Sequence, residues 1–402
     1  MTRQLLYIDL FAGCGGISLG LYQAGLKGLF AVERSSDAFQ TLKFNLIDTH
    51  AHFAWPEWLP MKNWDIDRLL KTHKSELVGL RGQIDLVVGG PPCQGFSIVG
   101  ERNASDKRNR LLHSYLEFIK LVQPRAIMFE NVRGFTIKFS NSKNRNKIAY
   151  SEILIQKLVK LGYTDARGEM VDLSEYGVPQ RRQRFVVIAT RKKMSDDIFS
   201  RLESQRANFF TIKGIPAKNC TQATLSDLEY KHGTALCPDS NRFMSGITSP
   251  SQNNFQRYLR LPDKETYIPD SHRFVNHTED VQRVFERLLE MAPRNRRIWG
   301  DEREIYGIKK RNVTVMDPLE PSLTITTIPD DFVHYSEPRV MTVRECARLQ
   351  CFPDWFEFKG RYTTGGDRRE KQTPRYSQVG NAVPPLFAEQ LGLAMKEVLA
   401  NG

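Results

Sequence analysis

The sequence predicts an α/β protein: a mixed sheet layered with helices, joined to a second, smaller and more irregular domain. Three observations carry this expectation. Over the first 190 residues, short apolar runs alternate with helical patterns, as in chained βαβ units. A glycine-rich turn separates the first such run from the first helical pattern. After Thr190 the alternation stops and does not return for about 150 residues.

Taken in order, Leu5–Leu10 reads as a strand and Ile17–Ala24 as a helix. Leu29–Val32 is the next strand, followed by a helical pattern over Asp37–Leu46. Ile84–Val88, Ala126–Phe129 and Phe185–Ala189 are further strands by their apolar, β-branched content. Leu111–Leu121 places apolar residues at helical spacing between two of them. The polar, basic segment Lys138–Lys147 reads as a loop. Residues 193–340 are rich in Asn, Ser, Thr, Pro and Arg and show only scattered elements. Regular pattern resumes at Thr342–Leu349, where a Thr cap precedes Glu345 by three positions. A final helix spans Pro385–Ala400.

The chain has 402 residues, enough for a large core and two domains. No apolar run approaches the roughly 20 residues that span a bilayer, and the first residues lack a signal-peptide pattern. Six cysteines (Cys14, Cys93, Cys220, Cys237, Cys346, Cys351) are scattered with no C-x-x-C pair. That spacing argues against a metal site and fits a reducing, cytosolic setting. The net charge of +12 favours a polyanionic partner. Residues 101–192 carry 19 Lys and Arg against 9 Asp and Glu, whereas residues 193–340 carry 21 of each. The excess therefore follows one motif, although a solvated basic face would account for it equally well.

That motif is Gly89-Gly90-Pro91-Pro92-Cys93-Gln94-Gly95-Phe96-Ser97-Ile98. It directly follows the apolar run Ile84–Val88, so two prolines hold a cysteine at a strand's carboxyl edge, where open sheets place their chemistry. Ala126–Phe129 lifts Glu130 to the same edge, and a nucleophile beside an acid suggests covalent catalysis. The glycine turn Asp9–Gly20 lacks the dinucleotide fingerprint, because Ser18 stands where the last glycine belongs. Gly13 and Gly15 still allow close approach of a ligand, and Glu33, twenty residues beyond Gly13, ends the second strand. A carboxylate there suits two ribose hydroxyls, which favours a nucleoside cofactor such as S-adenosylmethionine over a nicotinamide dinucleotide.

With these pieces in order, the chain resembles the DNA (cytosine-5)-methyltransferases. The family's ordered motifs occur as Asp9–Gly20, Gly90–Ser97, Glu130-Asn131-Val132, Gln180–Arg184, Arg344–Pro353 and Gln378–Pro384. They cover residues 1–192 and about 340–402, and leave unmatched the interval where the family keeps its variable recognition region. The resemblance implies a Rossmann-like, S-adenosylmethionine-dependent methyltransferase sheet of seven strands. Residues 1–192, completed by 375–402, would form the catalytic domain. Residues 193–374, including the Arg344–Pro353 motif, would form the target-recognition domain.

The resemblance also implies roles. Cytosine carbon 5 is a poor nucleophile until a thiolate adds at carbon 6, and Cys93 matches the family's nucleophile. A small buried cysteine is the plain alternative. Glu130 would face the ring nitrogen beside the amino-bearing carbon and stabilise charge as the thiolate adds. Asn131 would hold the Pro-Cys loop. Arg182 and Arg184, two apart at a strand start, would project to one face beside the base, with Arg184 on the ring carbonyl; an ordinary basic strand is the alternative. Phe11, Gly13, Gly15, Glu33, Asp65, Ile66, Pro91 and Asn381 would form the cofactor pocket, with Asp65 chosen over Asp67. A target inside a duplex must be flipped out. Gln94, Ser97, Arg102, Lys107, Arg108 and Arg110 would contact DNA. Thr324 and Thr326 sit where the family has a threonine-containing recognition element. The basic stretches Arg294–Trp299 and Lys309–Asn312 suit guanine edges and phosphates, or simple surface charge.

The reaction expected is methylation of cytosine carbon 5 in double-stranded DNA by a monomeric, metal-free enzyme in the bacterial cytosol, at the nucleoid. It would modify DNA alongside a separate cognate restriction endonuclease. The rivals are a tRNA cytosine-5 methyltransferase and a catalytically silent DNA-binding relative. The first carries a threonine where this chain has Ser97. The second is disfavoured by intact Cys93, Glu130 and Arg184. A nicotinamide oxidoreductase has no use for the Pro-Pro-Cys motif.

Overall fold

The computed structural model describes residues 4–92, 107–141, 144–191, 197–364 and 372–400, with backbone alone for 107–109, 139–141 and 144–147. The chain divides into two compact units: residues 1–172, 183–206 and 388–402, and residues 173–182 and 207–387. Residues 173–182 and 375–387 thus belong with the second unit, not the first.

The first unit is built on a mixed sheet. Its strands are β1 (Leu6–Leu10), β2 (Lys27–Val32), β3 (Leu86–Gly89), β4 (Ala126–Val132), β5 (Arg167–Asp172) and β6 (Gln183–Thr190). Their order is β2-β1-β3-β4-β6-β5, so among the described residues the sheet has six strands rather than the seven expected. The first four run parallel, and β6 returns antiparallel to both β4 and β5. Each parallel strand is almost wholly buried because helices pack over the sheet. The core joins Ile8, Leu10, Phe30, Val87, Phe129 and Val187 to Leu69 of helix Ile66–Thr72 and to Tyr115 and Ile119 of helix Lys107–Val122.

Several elements run longer than the sequence pattern predicts. The pattern over Asp37–Leu46 resolves into an α-helix over Ser36–Leu42 that continues as a π-helix over Lys43–Thr49. The 16-residue helix Ile198–Lys213, absent from the sequence expectation, follows β6. The closing helix Pro385–Ala400 matches the expected element. No helix among the described residues is long and apolar enough to cross a membrane.

The second unit has its own cores. A three-stranded sheet of Arg297–Trp299, Asn312–Val315 and Phe332–Val333 packs Ile298, Val313, Val315 and Val333 against Leu288 of helix Glu279–Met291. Helix Val343–Leu349 begins with the expected capping box between Thr342 and Glu345. Its Arg348 is fully buried between Asp227 (2.5 Å) and Asp354 (2.6 Å). Those two carboxylates, with that of Asp227 also meeting Arg260 at 2.6 Å, make the Arg344–Pro353 motif an internal ionic lattice. Buried charges persist only when paired this fully.

Candidate active site

The carboxyl edge of the sheet is assembled by very close backbone approach. Gly89 ends β3 at φ +104°, and a Cβ there would lie 1.9 Å from the Leu10 carbonyl oxygen of β1. A Cβ on Gly90 would lie 2.0 Å from the Glu130 carbonyl oxygen of β4. Only glycine fits between the two neighbouring strands, which explains the pair that leads into the prolines. Pro91 is buried, and its carbonyl accepts a hydrogen bond from Asn131 Nδ2 at 3.0 Å. Asn131 Oδ1 in turn accepts from the Val132 N–H. The amide therefore fastens the start of the Pro-Cys segment to the end of β4, as expected of it.

Cys93, Gln94, Ser97 and Arg102 lie outside the described residues, as does the side chain of Arg108. Three of the other cysteines do not resemble nucleophiles. Burial pushes the Cys14 thiol up to about 12 and raises those of Cys346 and Cys351 as well.

Glu130 and Arg184 meet on one face of the β4–β6 pair. Glu130 registers with Val186, so Arg184 stands two residues along, a diagonal neighbour on the same side. Arg184 Nε lies 2.7 Å from Glu130 Oε1, and the two side chains are 10% and 15% exposed. Arg184 Nη1 also donates to the Gln183 carbonyl, which sets the plane of the guanidinium. The site thus presents a carboxylate and a cation already oriented against each other.

Arg182 does not join them. The strand expected to carry both arginines begins only at Gln183, and the preceding two-residue strand ends at Arg181. Arg182 sits at the break, within the second unit. Its guanidinium donates to the carbonyls of Gly380 (2.9 Å), Ala382 (3.0 Å) and Ile325 (3.3 Å) and to Gln180 Oε1 (3.3 Å). The expectation of two parallel arginines is corrected on this point: Arg182 is a buried clamp on the carboxyl end of helix Arg375–Asn381. A charge stays buried there because main-chain oxygens surround it. Asn381, the last residue of that helix, is exposed.

At the other end of the edge, Glu33 closes the glycine loop. Its Oε2 accepts from the Gly13 N–H at 2.9 Å and its Oε1 from the Ser35 N–H at 2.6 Å. Burial raises its pKa and these N–H groups oppose that. Phe11 takes a left-handed backbone (φ +59°) and packs on the cluster containing Ile66. Gly15 caps the helix Gly16–Gln23 at φ +97°. The Trp64 N–H donates to the Glu33 carbonyl, drawing Asp65 and Ile66 toward the loop. Asp65 caps helix Ile66–Thr72, its Oδ1 accepting from the N–H groups of Asp67 and Arg68. Asp67 is otherwise engaged, by Arg110 at 2.6 Å and by the Ser114 hydroxyl. Arg110, though 70% exposed, therefore already holds a carboxylate.

One residue of this pocket carries no expected role. Asp9 is fully buried at the end of β1, with Oδ2 accepting from Ser18 Oγ at 2.5 Å and Oδ1 meeting no partner among the described residues. Burial, joined by the nearby charge of Glu33, pushes its pKa up to about 7 against the Ser18 hydrogen bond. Ser18, which breaks the dinucleotide pattern, is thus the partner of this carboxyl. An acidic residue closing a strand just before a glycine turn was the available signal. These features fit S-adenosylmethionine: Glu33 keeps an unused lone pair on each oxygen for ribose hydroxyls, and Asp9 offers a buried acceptor to a cationic amino acid group.

In the second unit, Thr324 is exposed and donates to the Arg181 carbonyl at 2.8 Å. Thr326 donates to Asp331 at 2.6 Å.

A family model described as C-5 cytosine-specific DNA methylase matches residues 5–397. Among curated proteins, the Type II methyltransferase M.DdeI of Desulfomicrobium norvegicum is 28% identical over 96% of this chain and 86% of its own length. The Type II methyltransferase M.XorII of Xanthomonas oryzae is 29% identical over 98% of this chain and 84% of its own. Among solved structures, a candidate DNA modification methyltransferase encoded within an E. coli prophage superposes with a TM-score of 0.66 at 25% identity. That alignment covers 98% of this chain and 99% of the other. The S. pombe Dnmt2 methyltransferase shares the fold, with a TM-score of 0.54 at 16% identity over 98% of this chain and 99% of its own.

Proposed function

This chain belongs to the C-5 cytosine-specific DNA methylases, and from that premise we propose how its residues carry out the reaction and on what substrate. The substrate is cytosine in double-stranded DNA, and the methyl donor is S-adenosylmethionine, whose sulfonium supplies an electrophilic methyl group. The chain acts as the modification enzyme of a restriction–modification system, in keeping with its Type II relatives. The observation that carries the reading is the Glu130–Arg184 pair at the strand whose Glu130 carbonyl packs against Gly90, three residues before Cys93 in the sequence.

Glu33 would hold the ribose hydroxyls, Phe11 and Ile66 the adenine faces, and Asp65 the adenine amino group through its second oxygen. Gly13, Gly15 and Pro91 leave room for the donor, and Asn381 is assigned to it by resemblance. Cys93 attacks carbon 6 of the flipped base, forming a carbon–sulfur bond and placing negative charge on the ring. Glu130 stabilises that charge at the adjacent ring nitrogen by hydrogen bond or proton. Arg184 both orients Glu130 and donates to the ring carbonyl oxygen. After methyl transfer, loss of the carbon 5 proton re-forms the double bond and expels the Cys93 thiolate. Residues 101–110 supply cations for phosphates, and the second unit reads sequence.

The test is covalent trapping on duplexes containing 5-fluorocytosine, where fluorine blocks the final elimination. An adduct that requires both S-adenosylmethionine and Cys93, and is absent in Cys93→Ala, supports the reading. An adduct formed on tRNA and on no DNA would overturn the choice of substrate.

A further inference from the structure

The segment 294–311 carries seven basic residues against three acidic ones, yet most of those cations are already committed. Arg294 donates to the carbonyls of Leu289, Met316 and Tyr335. Arg303 donates to those of Gly300 and Lys310. Arg296 pairs with Glu302 and Lys310 with Asp330. Arg297, Lys309 and Arg311 remain, all exposed, and none forms an ion pair among the described residues. Asp331 feels the charge of Arg297, but its carboxylate is hydrogen-bonded to Thr326.

Arg297 lies two residues before an unusual side chain on the same strand, and Lys309 and Arg311 precede the strand that pairs with it. Strand Arg297–Trp299 is the edge of its sheet and pairs antiparallel with Asn312–Val315, Trp299 opposite Asn312 and Ile298 opposite Val313. Ile298 and Val313 face the core. Strand alternation therefore turns Arg297, Trp299 and Asn312 to the other face. Trp299 is 69% exposed there. Single exposed apolar residues are ordinary, but a bare indole between an arginine and an amide, with further cations on the adjoining turn, combines stacking surface, base-edge donors and phosphate contacts.

We propose that this hairpin edge is a DNA-reading surface: Arg297, Trp299 and Asn312 contact base edges, and Lys309 and Arg311 hold flanking phosphates. The occupant is duplex DNA because the three exposed cations of this surface form no ion pair among the described residues, in a chain of net charge +12. Strand Arg297–Trp299 lies at the free edge of its three-stranded sheet, and strands of a sheet can read bases from a groove. This proposal rests on the function proposed above.

The experiment begins with wild-type protein and genomic DNA lacking cytosine methylation. Bisulfite sequencing identifies the modified sequence. Binding to a labelled duplex of that sequence and to its scrambled counterpart is then followed by anisotropy over a range of salt, for wild type, Arg297→Ala, Trp299→Ala, Trp299→Phe and the double variant Lys309→Ala/Arg311→Ala. S-adenosylmethionine affinity by calorimetry reports that each variant is folded. Arg297→Ala and Trp299→Ala are expected to lower the ratio of the two affinities roughly tenfold, with Trp299→Phe partly restored. The double variant should weaken both duplexes alike and reduce the log–log salt slope by about 2. Unchanged ratios and slopes in an enzyme that does methylate DNA would overturn this surface alone. A dimer in sedimentation that Trp299→Ala dissociates would assign the patch to a second copy and overturn it too. Wild type that neither binds nor methylates any duplex would fail the functional reading, and this surface with it.

Discussion

Glu130 and Arg184 are held against each other, Oε1 to Nε at 2.7 Å, by the antiparallel register of β4 and β6. The pair is formed before substrate arrives, so little reorganisation is needed as charge develops on the base. Arg184→Ala is expected to lower the single-turnover rate by about 10²- to 10³-fold, the usual loss for one such donor. S-adenosylmethionine affinity should stay at the wild-type value. A rate within a few-fold of wild type would remove Arg184 from the chemistry.

The glycines that admit the Pro-Cys segment should behave very differently from those of the cofactor loop. Gly89→Ala and Gly90→Ala drive a methyl group into neighbouring carbonyls and should cost about 3 kcal/mol or more in urea unfolding. Gly13→Ala meets nothing within 4 Å, so only its positive φ of +56° opposes it. Its expected cost is about 1 kcal/mol. Equal destabilisation at all three positions would contradict the close approach described.

Arg182 and Arg184 should separate by readout. Arg182→Met removes the guanidinium donors of the Gly380, Ala382 and Ile325 carbonyls and should lower stability on the order of 3 kcal/mol. Arg184→Ala should lower stability less and the rate more. Chemical denaturation beside single-turnover kinetics checks both.

Glu33→Gln keeps the shape but loses the charge that strengthens hydrogen bonds from ribose hydroxyls. Calorimetry should show S-adenosylmethionine binding weakened by roughly 10- to 100-fold.

Asp9 supplies a pH dependence whose sign follows from its burial. Its native pKa, about 7, lies above the ordinary carboxyl value, so the native state retains a proton that the unfolded chain has lost. Its contribution to stability is present below pH ~4 and fades as pH rises through about 7. Asp9→Asn should remove that slope. Relative to wild type, the variant should therefore gain stability between pH 4 and 7, by at most about 4 kcal/mol. A wild-type-minus-variant difference that is flat with pH would show that Asp9 does not titrate in this range.

Much of the first unit was legible because parallel strands announce themselves as short apolar runs and glycine turns as local chemistry. Leu6–Leu10 and Ala126–Val132 lie where pattern placed them, as does the capping box at Thr342 in the second unit. Helix Glu279–Met291 was also legible in retrospect, with acidic residues after Thr278 and Val284, Leu288 and Met291 at helical spacing. Its high charge content disguised it. The hairpin of Arg297–Trp299 and Asn312–Val315 was not legible, since each strand is too short for an alternation to register.

By itself the sequence determined which chemical groups this protein owns and their order: a glycine loop closed by Glu33, a Pro-Pro-Cys segment, a strand ending in Glu130, and arginines after Gln180. Only the tertiary structure decided how they are used. A break of one residue between two strands sends Arg182 into the interior of the second unit, while Arg184, on β6, meets Glu130. Period-two alternation would have put both arginines on one face. The direction of a side chain depends on where the strand begins, and that is set by tertiary pairing: Gln183 registers with Asp172 of β5, and Arg184 with both Val171 of β5 and Val132 of β4.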